Sequence, residues 1–361
     1  MKKQASIERM AAAGACLLML IAFYAVSTTA LATHILTIQL LMKVGVLTIC
    51  GAAVWLIPAH PDLDQREIFL WLILALGILM RVGYMLYTPA YVRGHDLGGC
   101  ALESNGHAAY ILHLLQGELP PSKSGQFYPP PLFHMLSAIA PACYRALSSF
   151  TDPEQLLEAA KTVSCAASIV TLFYARKLCR QLRLSDGATL IAVSLAPFLP
   201  NHYLLAGRVN NDSLAVMFMT AILYYTLRWY ERQDWDSIVK SALCFGLGMM
   251  TKISVGVFAL VTGCMMLLVL YRRLREKKAL PIIRQFAVFG LIAFPLGLWY
   301  PIRNFILFHQ PFNYVLRIST ESDLYCRDYS LWERFGLIKS LEIYDNPFED
   351  YNVGAYLLKG S

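Results

Sequence analysis

The chain has 361 residues, of which 57% are hydrophobic and only 15% are charged, and its formal net charge is +7 at pH 7. A soluble domain has roughly 45–50% apolar and about 25% charged residues, so this composition excludes an ordinary soluble protein. The basic residues cluster beside long apolar runs, as expected for anchors at a lipid surface. The positive charge therefore needs no nucleic-acid partner.

Apolar runs predict the spans of an all-α integral membrane protein. About nine runs are long enough to cross a bilayer core: Met10–Leu31, Ile35–Ile57, Ile68–Tyr87, Leu157–Leu178, Ala188–Leu205, Leu214–Tyr230, Ser237–Met250, Ser254–Tyr271 and Phe286–Phe308. Met10–Leu31 is too long for a cleavable signal, and further spans follow it directly. A tenth run, Pro130–Phe150, is ambiguous because prolines open it and because Pro141 and Arg145 lie within it.

Charge decides how the ambiguous run is interpreted. Lys2, Lys3 and Arg9 place the N-terminus in the cytoplasm, since basic residues stay on the cytoplasmic side. Three later basic clusters lie at 176–183, 228–240 and 272–284. All three are cytoplasmic only if Pro130–Phe150 does not cross. We therefore expect a helix at 130–150 that lies on or dips into the outer leaflet of the plasma membrane.

This topology gives the outer face three substantial polar segments: the loop 88–152, the short loop 201–213 and the stretch from His309. The short Thr251-Lys252 turn also emerges at this face. The first contains the ionisable pair His95–Asp96 between glycines, which allow the backbone to approach a ligand closely. It continues into 105–116, where the helical spacing of apolar residues predicts an amphipathic helix along the membrane surface, with His107 on another side.

Each candidate site residue also has a simpler interpretation. Asp96 could be a solvated loop carboxylate, and Asp212 could be the N-cap of its helix. Lys252 could extend to the interface or bind an anionic lipid headgroup. His134 fits a polar residue at a helix start better than a metal ligand. A divalent cation held by His95, His107, His134 and Asp96 is left open by the sequence.

Four short motifs, in this order, resemble those of the GT-C superfamily of membrane glycosyltransferases, and most closely glycosyltransferase family 39, the protein-mannosyltransferase-like group. They are Gly94-His-Asp-Leu-Gly98, Tyr128-Pro-Pro-Pro-Leu-Phe-His134, Asn211-Asp212-Ser-Leu214 and Gly248-Met-Met-Thr-Lys252. The likeness runs from Ile68 to Phe308. It departs at His95, where many relatives have a second acidic residue, and at Ser361, where relatives often continue.

The resemblance implies transfer of a sugar from a polyprenyl-phosphate donor to an acceptor at the outer face, with inversion. The residues divide by role. Asp96 is expected to be the general base, helped by His95, and the substrate-binding residues are Asp212, Asn211, Arg208, Lys252, His134, Tyr128 and His107. The acceptor is left open between protein, lipid and polysaccharide.

The same resemblance divides the chain into two additional N-terminal spans at 1–67, a GT-C-like catalytic core at 68–308 and an extracytoplasmic segment at 309–361. Two alternatives remain. Arg81 and Lys43, which lie within predicted spans, favour a transporter or lipid flippase, because charges near the bilayer midplane are typical of transporters. The early end of the chain favours a truncated, non-catalytic relative.

Overall fold

Helices account for nearly all the regular structure of the residues that the computed structural model describes, which are 35–59, 64–91, 97–122, 125–147 and 152–312. There are eleven α-helices in these ranges: α1 Ile35–Ala59, α2 Gln65–Tyr87, α3 His107–Leu115, α4 Leu132–Leu147, α5 Pro153–Gln181, α6 Asp186–Phe198, α7 Pro200–Leu204, α8 Asp212–Arg232, α9 Trp235–Thr251, α10 Ala259–Arg275 and α11 Leu280–Phe308. Short 3-10 turns lie at Gly125–Phe127, Leu205–Gly207 and Ile253–Phe258. No strand occurs in the described ranges, so the all-α prediction is confirmed.

Five helical segments are long and apolar enough to cross a membrane: α1, α2, α5, α10 with its preceding 3-10 turn, and α11. A sixth would be the pair α6 and α7 with its 3-10 turn, which is bent by 50°. The predicted span Met10–Leu31 lies outside the described residues. The helices at the other two predicted spans, α8 and α9, do not meet the same criteria, since α9 has only 17 residues and α8 carries tyrosines, threonines and charged ends. A count of nine spans is therefore not confirmed.

The bend between α6 and α7 is stabilised by a buried arginine. Pro200 begins α7 and has no N–H to donate, so the helix cannot continue through the bend. The Arg81 guanidinium donates to the carbonyl oxygens of Gly77 and Pro197, each at 3.0 Å, and its Nε donates to Ser168 Oγ at 2.8 Å. His202 Nδ1 lies 2.8 Å from the same guanidinium. Arg81 therefore has a structural explanation and no longer favours a transporter.

Helix α4 is shorter than the helices that are long enough to cross a membrane, and its expected position on or in the outer leaflet stays a prediction. Its 16 residues span about 24 Å, which is less than a bilayer core of about 30 Å. Near its start His134 contacts His107, and near its end Arg145 lines one groove together with Cys100 and Pro153. Both ends therefore lie against the loop between α2 and α5.

The helix ends form two polar faces. On one face Lys161 of α5 contacts the end of α2, and Lys252 contacts Asp212. On the other face Glu67 pairs with Arg176 and Arg180. The predicted basic clusters are on this second face, and the candidate site residues that the structure describes are on the first. The division at 67 and 308 stays a prediction.

Candidate functional site

An ion pair between Lys252 and Asp212 lies on the first face. Asp212 is the first residue of α8, and Lys252 follows the last residue of α9, so the hairpin of these two helices brings the two side chains together. The two side chains are 38% and 37% exposed, respectively. A ligand at this face could therefore reach both.

Neighbouring asparagines hold the start of α8 in place. The Asn210 side chain accepts a hydrogen bond from the Asp212 backbone N–H at 2.7 Å. Asn211 is buried, and its Nδ2 donates to the Thr251 carbonyl at 3.4 Å. Asn211 is the N-cap residue of α8, and its side chain makes no capping hydrogen bond. Asp212 is therefore not the cap residue, and its carboxylate is directed to Lys252.

Arg208 lies in the loop before α8 and is the nearest further cation along the chain. Its Nε is buried and has no hydrogen-bond partner among the described residues. The 3-10 turn before it ends at Gly207, where a Cβ would come within 2.8 Å of the Tyr84 ring. Only a glycine allows this turn to pack so closely on α2. The structure thus fixes the loop backbone and leaves a guanidinium donor unused.

Two histidines predicted as substrate-binding form part of a buried aromatic stack. His107 Nδ1 and His134 Nε2 are 2.8 Å apart, and the His134 ring stacks on Tyr110 at 3.8 Å between centroids. Burial and the adjacent His107 hold the pKa of His134 well below its ordinary value of 6.5, so this imidazole is neutral. Helix α3 is accordingly covered by protein and not only by lipid, since Ala108 and Ile111 are fully buried.

The stack supports the proline-rich turn that contains Tyr128. The hydroxyl of Tyr110 donates to the Pro129 carbonyl at 3.3 Å, and the hydroxyl of Tyr300 donates to the Phe127 carbonyl at 2.9 Å. Tyr128 itself is half-buried between these two anchored positions. Tyr110, which stacks on His134, and Tyr300 therefore hold this turn in place. Tyr128 is the polar member of the motif that is not fully buried.

His95 and Asp96 lie outside the described residues, but the described residues on both sides of them are firmly held. Upstream, the buried Lys161 ammonium donates to the carbonyls of Met85 at 2.9 Å and Thr88 at 2.7 Å. Lys161 is also paired with Glu158, whose other oxygen accepts from the Ala90 N–H at 2.7 Å. This Lys161–Glu158 clamp ties the last residues of α2 and the start of the loop to α5.

Downstream, two glycines allow the loop to cross itself. Gly98 has a φ of +70°, and a Cβ there would lie 2.7 Å from the Gly106 Cα. The Ala108 N–H donates to the Leu97 carbonyl at 2.9 Å, which joins the loop to α3. Gly98 therefore makes the close approach that was expected of a glycine, but its neighbour is the loop's own backbone. Tyr91 and Cys100 also contact each other across the segment, and burial raises the pKa of both groups.

Substitution of Lys161 by methionine is expected to lower the free energy of unfolding by about 3–5 kcal/mol, because it leaves a mostly buried Glu158 without its counter-ion. The carbonyls of Met85 and Thr88 would lose a donor as well. Unfolding by sodium dodecyl sulfate in mixed micelles measures the change.

Lys240→Met is the matched control, since Lys240 pairs with Asp236 at an exposed position and such pairs contribute little. An equal effect of the two substitutions would show that the Lys161–Glu158 clamp has no special structural role.

Sequence reasoning did not single out the clamp, although a signal was present. Lys161 and Glu158 are ionisable residues three positions apart in a helix long enough to span, and such residues are rare without a partner. Nothing in the sequence, however, identifies backbone carbonyls some 73–76 residues away as the partners.

A metal site is not formed by the described residues, among which no group of three His, Cys, Asp or Glu side chains could hold an ion. The cluster left open by the sequence includes His95 and Asp96, and it stays untested for that reason.

Residues 154–299 match the family model described as dolichyl-phosphate-mannose-protein mannosyltransferase. Together with the spans, this match indicates the class of a membrane glycosyltransferase for the matched segment. The family is the one that the four motifs resemble, so the resemblance is confirmed over this segment, which includes Arg208, Asp212 and Lys252. The family implies a polyprenyl-phosphate sugar donor. No curated protein matches the chain.

Proposed function

We propose that the protein transfers a sugar from a polyprenyl-phosphate donor to an acceptor at the extracytoplasmic face of the plasma membrane, with inversion. The observation that carries this proposal is the Lys252–Asp212 ion pair, half-exposed at the end of two helices within the segment that matches the family. The basic clusters on the opposite face support the orientation, since that face would be cytoplasmic.

Lys252 and Arg208 are the groups that would bind the donor phosphate. An ammonium has three N–H donors, and Asp212 accepts from the one that points to it. Arg208 offers a buried Nε without a partner among the described residues. As the bond to the sugar breaks, negative charge grows on the phosphate oxygen, and cations already in position stabilise it.

Asp212 would keep Lys252 in position and accept a hydrogen bond from the donor sugar or the acceptor. Asn211 serves the same end indirectly, because its bond to Thr251 joins α8 to α9. Tyr128, in the turn held by Tyr110 and Tyr300, would contact the substrate from the first loop. These roles follow the order of the motifs along the chain.

Asp96 would act as the general base, with His95 orienting it. The acceptor hydroxyl oxygen bonds to the anomeric carbon as the bond from that carbon to the phosphate oxygen breaks. The hydroxyl proton passes to the Asp96 carboxylate, and the polyprenyl phosphate leaves with the electron pair. A single displacement of this kind inverts the anomeric centre. The Lys161–Glu158 clamp would keep the loop that carries Asp96 at the same face.

An apolar groove beside the ion pair suits the isoprenoid tail of such a donor. Helices α4, α5 and α8 enclose a volume of about 410 Å³. Its lining is almost entirely aliphatic and includes Leu136, Ile139, Val163, Val170, Leu214 and Met217. Leu214 lies only two residues after Asp212, so a tail in this groove would place its phosphate near the charged residues.

The direct test is radiolabel transfer by the purified protein in lipid nanodiscs. We expect label to move from a polyprenyl-phosphate hexose, with mannose tested first, to an acceptor fraction from the cell envelope. A nucleotide-linked sugar of the same kind should not replace the lipid donor. If labelled donor crosses the bilayer of proteoliposomes without transfer to any acceptor, the protein is a lipid transporter and the proposal is wrong.

A further inference from the structure

A second groove lies between α1 and α2, away from the helices that form the ion pair. It has a volume of about 460 Å³ and reaches Tyr203 of α7. Most of its lining is apolar, and its polar groups are Gln39, Lys43, Tyr84, Tyr87 and Tyr203. A pocket of this size with a few converging polar groups has the character of a small-molecule or lipid site.

Lys43 is a charged residue that lines this groove, and no ion pair within the described protein explains its position. It is exposed on a helix long and apolar enough to span the membrane, where an unpaired lysine is costly. No acidic residue is among the groove's lining residues, and no carboxylate in the described part of the chain pairs with Lys43. The cation therefore lacks a counter-ion within the described protein.

The depth of the groove matches a lipid headgroup region. Met42, which precedes Lys43, packs against Gly83 of α2, and α2 ends four residues later at Tyr87. Four residues of helix correspond to about 6 Å, and the eight residues from Ile35 to Lys43 correspond to about 12 Å. Lys43 therefore lies one to two turns from the ends of the two helices, a depth from which a lysine side chain extends to the interface. That interface is the face of Lys252 and Asp212. Tyrosines such as Tyr84 and Tyr87 are typical of this depth, because their rings are apolar and their hydroxyls are polar.

We propose that the groove between α1 and α2 binds an anionic phospholipid of the outer leaflet, with the Lys43 ammonium on the lipid phosphate and the tyrosine hydroxyls around the headgroup. The acyl chains would follow the apolar lining toward the bilayer centre. This site is independent of sugar transfer, since none of its lining residues belongs to the proposed catalytic or donor-binding set.

Photo-crosslinking tests the assignment at the groove itself. The photoreactive residue p-benzoylphenylalanine is placed at Gln39, which lines the groove, or at Leu41, which is 50% exposed and lies two residues from both Gln39 and Lys43, and therefore on the opposite side of α1 at nearly the same depth. The protein is irradiated in nanodiscs of equal phosphatidylglycerol and phosphatidylcholine, and the lipid adducts are identified by mass spectrometry. We expect the ratio of anionic to neutral adducts at Gln39 to exceed that at Leu41 by about fivefold, the effect of one nearby lysine.

The substitution Lys43→Met should abolish this bias and Lys43→Arg should keep it. Equal ratios at Gln39 and Leu41, or a bias that survives in Lys43→Met, would overturn the proposal. Native mass spectrometry of the same variants without the photoreactive residue gives a second measurement, and we expect Lys43→Met to retain fewer phosphatidylglycerol molecules. If a small fraction of polyprenyl phosphate displaces phosphatidylglycerol from the Gln39 adducts, the groove is a donor entrance, and the phospholipid assignment is wrong.

Discussion

Substitution of Lys252 by methionine is expected to lower kcat/KM for sugar transfer by about 10²–10³-fold, the usual effect of removing one group that stabilises developing charge. Lys252 lies at the end of α9 beside Asp212, where it can reach a phosphate without any change in the backbone. Methionine keeps much of the apolar stem and removes only the charge. Initial rates of transfer from a polyprenyl-phosphate sugar, measured over a range of donor concentrations, give the change.

Substitution of Asp212, the partner of Lys252, tests whether the loss of transfer is specific to the ammonium group. Asp212→Asn removes the counter-ion but leaves the ammonium, so we expect a smaller loss than in Lys252→Met. Because the two side chains contact each other, the double substitution should cost less than the two single losses combined. Lys240→Met, at the opposite face, is the control for loss of a cation and should leave kcat/KM unchanged. A Lys252→Met enzyme within about threefold of the unmodified protein would contradict a phosphate-binding role.

Substitution of Asp96 by asparagine is expected to reduce kcat by about 10²–10⁴-fold, the range attributed to a general base. Asparagine has nearly the same shape, but its amide cannot accept the proton of the acceptor hydroxyl. Binding of the donor should change little, since the phosphate is held by other residues. Single-turnover transfer and donor binding, measured on the same preparation, separate the two effects.

Glu103→Gln is the matched control, because it removes a carboxylate from the same loop at an exposed position. We expect it to transfer sugar at nearly the rate of the unmodified protein. Near-normal transfer by Asp96→Asn, with an unchanged free energy of unfolding, would mean that another group is the base.

Much of the helical framework could be predicted from the sequence. Hydropathy placed a helix at Ile68–Tyr87, and the structure has one at Gln65–Tyr87. The position of charges on the two sides of the bilayer predicts that 130–150 does not cross; α4 has 16 residues, and its place relative to the bilayer stays a prediction. Helices of this kind can be predicted because the bilayer acts on each segment separately, through length, apolar content and flanking charge.

The predicted order of spans likewise placed Asp212 and Lys252 at one face, and the structure brings them into contact. Their sequence separation is 40 residues, yet two antiparallel helices of similar length necessarily return the chain to the same side. Sidedness and proximity at helix ends therefore follow from the topology. The hydrogen-bond partner of each side chain does not follow from the topology.

Partners of buried polar groups were decided by the tertiary structure alone. From the sequence alone, Arg81 favoured a transporter. In the structure its guanidinium donates to the Pro197 carbonyl beside the bend between α6 and α7, so Arg81 has a structural role. His107 and His134 were expected at the substrate and instead contact each other inside a buried stack. Lys161 was not noticed, although it ties the start of the Asp96 loop to α5. The sequence by itself determined where the chain meets lipid and water, because those solvents act locally on every segment. Only the packed structure decided which buried donor meets which acceptor, because a buried polar group must find a partner wherever the fold provides one.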